Sequence, residues 1–286
     1  MTSRCWLARC RDFSSLLEPR HRTAVISRTG DDPFGRFIHQ SLRAFGVDDT
    51  WVTPVAELPT PVTFCEIFPP DDFPLYFYRY PQAPDLQIKP EEIPVDVVAG
   101  ARVFWATLTG MSADPSRQAH LRAWRARGRK PLTVLDLDYR DRFWPDRQSA
   151  TQACSQALEY CTVAVGNRQE CAVAVEETEP ERAARALLDR GVELALVKQG
   201  PKGVLAMTRE ETVTIPPILV RVVNGLGAGD AFGGALCHGL LEGLPLTRIV
   251  TLANAAGAIV AARLECSSAM PTREELDDLL AQRGLG

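Results

Sequence analysis

The sequence predicts an α/β protein with a mostly parallel central sheet, and three observations support that class. From Ala101 onward, short apolar runs of strand length alternate with longer segments whose apolar residues recur at helical spacing. This βαβα order implies parallel strands that are covered by helices on both faces. Two β-rich runs, Val204–Met207 and Thr212–Ile215, predict a hairpin near the edge of the sheet. The chain has 286 residues, 45% of them hydrophobic, so it can bury a large core.

The part of the chain before Ala101 predicts one helix, two short strands and a hairpin. In chain order these are a strand at Thr23–Ser27, a turn at Thr29–Pro33, a helix at Phe34–Phe45 that Gly46 ends, an edge strand at Trp51–Thr53, and two β-rich runs at Pro61–Phe68 and Leu75–Tyr80. A Pro-Pro-Asp-Asp turn signal separates the last two runs, which predicts a hairpin over about residues 61–80.

The remaining predicted elements follow one another to the C-terminus. The strands are Val103–Thr107, Leu132–Leu137, Val163–Val165 and Glu193–Lys198. The helices are Pro115–Arg127, Arg147–Tyr160, a short one near Glu170, Pro180–Arg190, Ala228–Leu241, Leu246–Ala262 and Thr272–Ala281. Because no repeat, low-complexity segment or linker interrupts this series, residues 23–286 are predicted to form a single domain.

Composition excludes several classes of protein. The 32 basic and 36 acidic residues give a net charge of −4, whereas nucleic-acid binders are usually basic. The longest uncharged stretch, Ile249–Ala262, is too short for a membrane span. The eight cysteines form no Cys-x-x-Cys pair, and the four histidines show no metal-ligand spacing. We therefore expect a cytoplasmic protein with reduced thiols.

Residues 1–22 differ from the rest of the chain. They contain five arginines and neither alternation nor a helical stripe, and they lack the apolar core of a secretory signal. A targeting peptide is one interpretation, but Asp12 and Glu18 count against it. The simpler prediction is a poorly ordered tail.

The stretch Val222–Leu241 carries the strongest indication of chemistry. Gly225, Gly227 and Gly229 stand at the start of a predicted helix whose first amides have no partner within the helix. Together with the helix dipole, those amides make a seat for an anion such as phosphate. Asp230 follows in the first turn, where it could accept a proton from an attacking hydroxyl. The alternative is a tight turn in which Asp230 only stabilises the dipole, and we favour the functional interpretation.

Gly227-Ala228-Gly229-Asp230 and the small-residue helix after it resemble the signature of the ribokinase-like (PfkB) carbohydrate kinases. The longer string Asn224–Leu241 is most similar to that of the 5-dehydro-2-deoxygluconokinases of inositol breakdown. The resemblance implies a ribokinase-like αβα sandwich with a small, partial β lid formed by the hairpin at about 61–80. It also implies ATP-dependent phosphorylation of 5-dehydro-2-deoxy-D-gluconate, with Asp230 as the base and the amides of Gly227, Ala228 and Gly229 as the anion hole.

Three further segments match nucleotide-binding motifs of that family. Asn167 and Glu170 match the Asn-x-x-Glu motif that supports Mg²⁺ and its waters, although Asn167 could simply cap a helix. Lys198, Gly200 and Gly203 match the loop along the ATP phosphates, which could also be a plain turn. Asn254 matches the residue beside the adenine, and the alternative is an amide satisfied between helices.

Two arginines are candidates for binding the carboxylate of a sugar acid. Arg79 ends the second lid strand, where related kinases of keto-deoxy sugar acids use an arginine, and a solvated strand-end arginine is an equal alternative. Arg140 follows Asp136 and Asp138 after a predicted strand. It could meet a carboxylate or a phosphate, or form a loop salt bridge with either aspartate.

The resemblance also leaves questions open. Many relatives have Asp at the Asn224 position, where it helps bind a monovalent cation, so activation by potassium is in doubt. The family's first strand and Gly-Gly-x-x-Asn sugar motif have no counterpart before Thr23, so a missing or replaced N-terminal segment is expected. The alternatives are another sugar or sugar-acid kinase of this fold, of 2-keto-3-deoxygluconate or fructose type, or a truncated pseudokinase. A homodimer through the lid is a further expectation.

Overall fold

A computed structural model of the protein describes residues 22–69 and 72–286, so the tail predicted for residues 1–22 lies almost entirely outside the described residues. Within them the chain forms ten strands and nine α-helices. Their order is β1 (Thr23–Gly30), α1 (Pro33–Ala44), β2 (Val47–Val55), β3 (Val62–Cys65), β4 (Leu75–Tyr78), α2 (Val95–Gly100), β5 (Phe104–Thr107), α3 (Ser116–Arg127), β6 (Thr133–Asp136), α4 (Arg147–Leu158), β7 (Val163–Asn167), α5 (Arg168–Val175), α6 (Pro180–Asp189), β8 (Leu194–Lys198), β9 (Val204–Met207), β10 (Thr212–Ile215), α7 (Ala228–Leu241), α8 (Leu246–Ala261) and α9 (Arg273–Gln282).

The predicted strands and helices are present, and their ends differ by a few residues. The largest differences are in β1 and β2, which pair in parallel so that Thr29 lies opposite Pro54 and Gly30 opposite Val55. This pairing holds Thr29 and Gly30 in strand geometry, although the sequence predicts a turn there. The helix α2 is not predicted, because its β-branched valines favour a strand. Among the helices in the described ranges, none has both the length and the apolar character to cross a membrane.

The chain forms two compact units. The first contains the residues up to Asp85 together with Ile218–Gly286, and the second contains Leu86–Pro217. The single domain predicted for residues 23–286 stays a prediction.

In the first unit, the helix α1 covers the parallel pair β1–β2. Asp32 caps the helix by accepting a hydrogen bond from the Gly35 backbone N–H at 2.8 Å, and Pro33 follows it in the first turn. The other Asp32 oxygen accepts from the Thr60 backbone N–H at 2.7 Å. Burial acts to raise the pKa of Asp32, but these backbone hydrogen bonds outweigh it and lower the pKa. Ile38 on α1 packs in a small core that also contains Val25, Leu42, Val47 and Val52.

The second unit contains a six-stranded sheet in the order β10-β9-β8-β7-β6-β5. The strands β5 to β8 are parallel, and β9 and β10 continue the sheet in antiparallel fashion as the predicted edge hairpin. The parallel strands β6, β7 and β8 consist mainly of buried residues, as expected for a sheet that is covered on both faces. The carboxyl ends of β6, β7 and β8 are therefore neighbours at one edge of the sheet.

The core of the second unit includes a buried arginine, Arg127, at the end of α3. Its guanidinium donates to the Thr133 hydroxyl at 2.6 Å and to the backbone carbonyls of Val98, Ala101, Arg102 and Pro131. Burial lowers its pKa. Because these acceptors lie near the end of α2 and the starts of β5 and β6, one side chain joins three elements.

The thiols of the second unit are buried. Burial raises the pKa of Cys154 and of Cys171 to about 12, and it also raises the pKa of Cys161. In the first unit Cys237 and Cys266 are buried, whereas Cys65 in β3 is half-buried. Cys65, Cys154, Cys161 and Cys171 are free thiols.

Candidate active site

In the first unit, the start of α7 has the geometry of an anion seat. Gly227 precedes the helix with a φ of 90°, a left-handed conformation that favours glycine, and no side chain caps the helix at that position. A Cβ on Gly227 would lie 3.3 Å from the Cβ of Cys266 and 3.4 Å from Cγ1 of Val260. The Ala228 N–H donates to the Gly225 carbonyl at 3.4 Å, and the other first amides of this 14-residue helix face its N-terminal end, where an anion can bind.

Asp230 lies in the first turn of α7 and is only 4% exposed. The helical hydrogen bonding begins beside it, because the Ala231 N–H donates to the Gly227 carbonyl at 2.9 Å. A buried carboxylate loses the solvation that favours its charge. Its position in the first turn, beside the N-terminal end of the helix, suits a group that takes up a proton close to a bound anion.

The loop before α7 is fastened by Asn224, which is 3% exposed. Its side-chain oxygen accepts from the Leu226 N–H at 3.0 Å, and its amide nitrogen donates to the Leu264 carbonyl at 2.8 Å. The Cys266 thiol donates to the Leu226 carbonyl at 3.4 Å. Both polar atoms of Asn224 are thus used in hydrogen bonds inside the protein. The roles of Leu264 and Cys266 were not predicted, since their spacing from Asn224 has no motif.

The helix α8 packs closely on the start of α7. A Cβ on Gly257 would lie 3.1 Å from the Ala228 carbonyl oxygen, so the approach of the two helices depends on this glycine. Asn254 is half-buried and precedes Gly257 by three residues, which places both on one face of α8. The predicted role of Asn254 beside the adenine stays a prediction.

In the second unit, Asp136, Asn167 and Lys198 end the neighbouring strands β6, β7 and β8. Asn167 lies opposite Lys198, and Asp136 lies opposite Val165. Since Val165 and Asn167 are two residues apart on β7, the side chains of all four residues point to the same face of the sheet. This face collects polar groups at the edge where ligands bind in parallel α/β sheets.

Asn167 and Glu170 form a capping box at the start of α5. The Asn167 side chain accepts from the Gln169 and Glu170 N–H groups at 2.9 Å each, and Glu170 accepts from the Asn167 N–H at 2.6 Å. Glu170 is 6% exposed. Burial raises its pKa, nearby Lys198 opposes that shift, and the negative charges of Asp136 and Asp138 add to it.

The polar groups at the ends of β6, β7 and β8, together with Glu170, suit a divalent cation that is held mainly by other ligands. Among residues 22–69 and 72–286, no three His, Cys, Asp or Glu side chains are placed to hold a metal ion by themselves. Mg²⁺ normally keeps several waters and binds through one or two carboxylates together with substrate phosphates. The excess of negative charge around Glu170 favours a cation at this edge, so the oxygens of Asn167 and Glu170 fit a supporting role for Mg²⁺.

Arg140 follows the end of β6 and forms an ion pair with Asp138 at 3.0 Å. The Thr109 hydroxyl donates to the Asp138 carbonyl at 2.9 Å and lies 3.3 Å from its carboxylate. This is the loop salt bridge that the sequence left open as an alternative. The Arg140 side chain is still 28% exposed, so it remains accessible to a second anion.

The loop Lys198–Gly203 joins β8 to β9 by a tight turn. The Gln199 N–H donates to the Gly203 carbonyl at 2.8 Å. Gly203 has a φ of 88°, and a Cβ on it would lie 2.0 Å from the Ile215 carbonyl oxygen. Gly200 also has a positive φ, but no atom lies near its missing side chain. The turn is confirmed, and a nucleotide along it stays a prediction.

The lid hairpin consists of β3 and β4, which pair antiparallel in the first unit. Arg79 directly follows β4, and its guanidinium, 8% exposed, forms an ion pair with Asp85 at 3.1 Å. The alternative of a solvated arginine is therefore wrong. On one face of the hairpin, the rings of Phe64 and Tyr78 meet edge to face with their centroids 5.5 Å apart.

The profile of the pfkB family of carbohydrate kinases matches residues 11–273. The chain belongs to the pfkB carbohydrate kinase family. The match begins within the segment predicted to be an atypical tail. Among relatives in this family, 5-dehydro-2-deoxygluconokinase from Geobacillus thermodenitrificans (strain NG80-2) is 30% identical over 266 residues, which are 91% of this chain and 79% of the relative.

Solved structures confirm the predicted ribokinase-like fold. A protein named as a ribokinase II from E. coli, in complex with ATP and Mg²⁺, has a TM-score of 0.86 at 20% identity, covering 97% of this chain and 88% of that one. A fructokinase double mutant from Vibrio cholerae O395, with fructose, ADP and potassium bound, has a TM-score of 0.82 at 21% identity, covering 96% and 89%. The predicted enzyme class, a carbohydrate kinase of the PfkB family, is confirmed by the family match.

Proposed function

We propose that this PfkB-family kinase transfers the γ-phosphoryl group of ATP to a primary hydroxyl of 5-dehydro-2-deoxy-D-gluconate. The observation that carries the phosphoryl transfer is the buried Asp230 in the first turn of α7, beside amides that no side chain caps. The substrate is inferred from the 30% identity to a 5-dehydro-2-deoxygluconokinase over 91% of the chain.

Asp230 accepts the proton of the attacking sugar hydroxyl. At the same time the hydroxyl oxygen bonds to the γ-phosphorus, and the bond between the γ-phosphorus and the bridging β-phosphate oxygen breaks. The amides of Gly227, Ala228 and Gly229 donate to the transferring phosphoryl oxygens. The benefit of these donors is electrostatic, since they are fixed by the helix before the charge develops.

Four further groups serve the nucleotide: Asn167, Glu170, the loop Lys198–Gly203 and Asn254. Asn167 and Glu170 would hold Mg²⁺ through its waters, and the ion would supply positive charge that stabilises the transferring phosphoryl group. The backbone of the loop with Lys198, Gly200 and Gly203 lies along the nucleotide. Asn254 contacts the adenine.

Arg140 binds the carboxylate of the sugar acid, because it is the accessible one of the two candidate arginines. Arg79 is the second candidate, but its guanidinium is buried against Asp85 and would have to share that partner. A guanidinium has five N–H donors, so an arginine with one carboxylate partner can still bind another.

A second candidate function is a kinase of a neutral sugar, such as a ketose. The observation that favours it is that Arg79 and Arg140 each already have an aspartate partner. Under this hypothesis both arginines only stabilise their loops.

The test is a panel of acceptors, with ADP release and phosphorylated product measured for each. The panel contains 5-dehydro-2-deoxygluconate, 2-keto-3-deoxygluconate, fructose and ribose. The proposal requires the highest kcat/KM for the first of these. A preference for fructose would replace it with the neutral-sugar function, and an absence of turnover with every acceptor would contradict both.

We also propose that the lid forms the contact of a homodimer. Phe64, Tyr76 and Tyr78 are 61%, 46% and 62% exposed and share one face of β3–β4, because Phe64 pairs with Tyr76 and Tyr78 lies two residues further. Sedimentation equilibrium of the wild type and of Phe64→Ser/Tyr78→Ser tests this proposal. A dimer that the double variant converts to a monomer supports it, and a monomeric wild type or a dimer in both chains contradicts it.

A further inference from the structure

The segment that follows α8 is joined to the loop before α7 by groups of the protein itself. The backbone N–H groups of Val223 and Asn224 donate to the Ala261 carbonyl at 2.8 and 3.2 Å. The amide nitrogen of Asn224 donates to the Leu264 carbonyl, and the Cys266 thiol donates to the Leu226 carbonyl. The loop that forms the anion seat is thus fastened on both sides by direct hydrogen bonds.

The orientation of the Asn224 amide is fixed by its two partners. A carbonyl can only accept, so it must face the NH₂ group, and the Leu226 N–H can only donate, so it must face the oxygen. The hydrogens of this amide carry partial positive charge beside the Leu264 carbonyl. They repel a cation at the place where an oxygen of an aspartate would attract one.

A second carbonyl of the same segment is bound to a full positive charge. The Arg263 guanidinium donates to the Ala269 carbonyl at 2.8 Å and is also paired with Glu275. Alkali cations are bound by rings of backbone and carboxylate oxygens. Here two of the carbonyls in the segment after α8 are bound by N–H donors instead.

We propose that the Asn224 amide replaces a monovalent cation in this kinase, so that its anion seat is held in place without potassium. Asn224 is a positioning residue, because it acts on the phosphoryl group only through the loop Gly225–Gly229. An aspartate at this position would have no donor for the Leu264 carbonyl, and the two oxygens facing each other would need a cation between them. The kinase rate tests this proposal only if the proposed function is right, whereas the Tm tests it independently of that function.

The experiment compares the wild type with Asn224→Asp at constant ionic strength in potassium, sodium and choline chloride. Kinase rate and thermal midpoint are measured as each salt replaces choline. We expect the rate of the wild type to stay within about twofold, and its Tm within about 1 °C, in every salt. The wild type already has the hydrogen bond from Asn224 to the Leu264 carbonyl, so a cation has no lost interaction to replace. Asn224→Asp should lose roughly tenfold in rate and lower its Tm in choline, and potassium should restore both with a saturable curve.

Gln148→Glu, which adds the same charge at an exposed position on α4, is the matched control and should show no such curve. Severalfold activation of the wild type by potassium would overturn the proposal even if Asn224→Asp did not fold. A folded Asn224→Asp without any cation response would also overturn it. Because Tm is measured without substrate, its salt dependence tests the proposal even if the assigned reaction is wrong.

Discussion

The ring of Phe73, at the end of the lid hairpin, lies directly against Gly225 in the loop that forms the anion seat. A Cβ built on Gly225 would be 3.1 Å from both Cδ2 and Cε2 of Phe73, a distance tighter than ordinary van der Waals contact. Gly225 has no positive φ, so what the position needs is space for the ring rather than an unusual backbone. The lid and the loop before α7 are therefore in contact through these two residues.

Gly225→Ala should shift either the ring or the loop by a few tenths of an ångström. If the loop moves, kcat should fall roughly tenfold, because ~1 Å of misplacement can cost about 10²-fold. Adding Phe73→Ala to Gly225→Ala should remove the clash, so that the double variant is no slower than Phe73→Ala alone. Gly100→Ala is the control, since no atom lies within 4 Å of the missing side chain. An undiminished kcat in Gly225→Ala would show that the ring yields and that the loop does not depend on it.

Asp230→Asn should lower kcat by roughly 10²–10⁴-fold with little change in ATP affinity, because it removes the base and leaves the anion seat intact. Steady-state kinetics and calorimetric ATP titration measure the two quantities. Asp278→Asn, an exposed change on α9, is the control and should leave both unchanged. A variant that keeps most of the wild-type rate would exclude Asp230 as the base.

The two candidate arginines should respond differently to substitution by Met. Arg140→Met should raise KM for the sugar acid much more than for a neutral sugar, since a charge-assisted bond contributes about 1.5–3 kcal/mol. Arg79→Met should mainly lower Tm, because it leaves Asp85 without its buried partner. Equal effects of Arg140→Met on both substrates would assign this arginine to the structure of its loop.

Glu170 should make the chain less stable as pH rises. Its pKa is raised by burial in the folded state, so between the unfolded and folded pKa values the folded state binds more protons and the free energy of unfolding falls. Glu170→Gln keeps an acceptor for the Asn167 N–H and removes the charge. The Tm of this variant should equal that of the wild type near pH 4. At pH 7 it should exceed the wild-type value by about 2–4 °C for each kcal/mol of unfolding free energy that the buried charge costs. Its kcat should be lower.

The control for this comparison is Glu181→Gln, at an exposed position in the first turn of α6. Thermal unfolding from pH 4 to 8 should give parallel curves for this control and the wild type. Parallel curves for Glu170→Gln and the wild type would contradict the raised pKa.

Most of the fold could be predicted because its signals are local. The helix α1 has Asp32 and Pro33 at its start, and the strands β6 to β8 are continuous buried runs. The ends of β1 and β2 could not be predicted, since Thr29 and Gly30 are held in a strand only by pairing with Pro54 and Val55. Local turn residues there are overridden by a partner about 25 residues away.

In the candidate site, too, the features set by local sequence could be predicted and those set by distant contacts could not. Gly227 to Asp230 and the Asn167–Glu170 box are short motifs, so their geometry could be predicted from spacing. The contact of Phe73 with Gly225 and the bond from Asn224 to the Leu264 carbonyl join distant parts of the chain. Side chains that act through backbone atoms leave no pattern in the sequence, because any residue supplies the same carbonyl.

The buried thiols are distributed over both units, so their reaction rates can measure how fast each unit opens. A thiol reacts as its thiolate, and burial suppresses that form for Cys154, Cys161 and Cys171 in the core of the second unit. Alkylation of these cysteines in the native chain therefore requires the second unit to open. Cys237 and Cys266 are buried in the first unit, so their alkylation reports on the opening of that unit. Mass spectrometry of timed alkylation would thus measure the opening rates of the two units separately in one unmodified protein, with and without nucleotide.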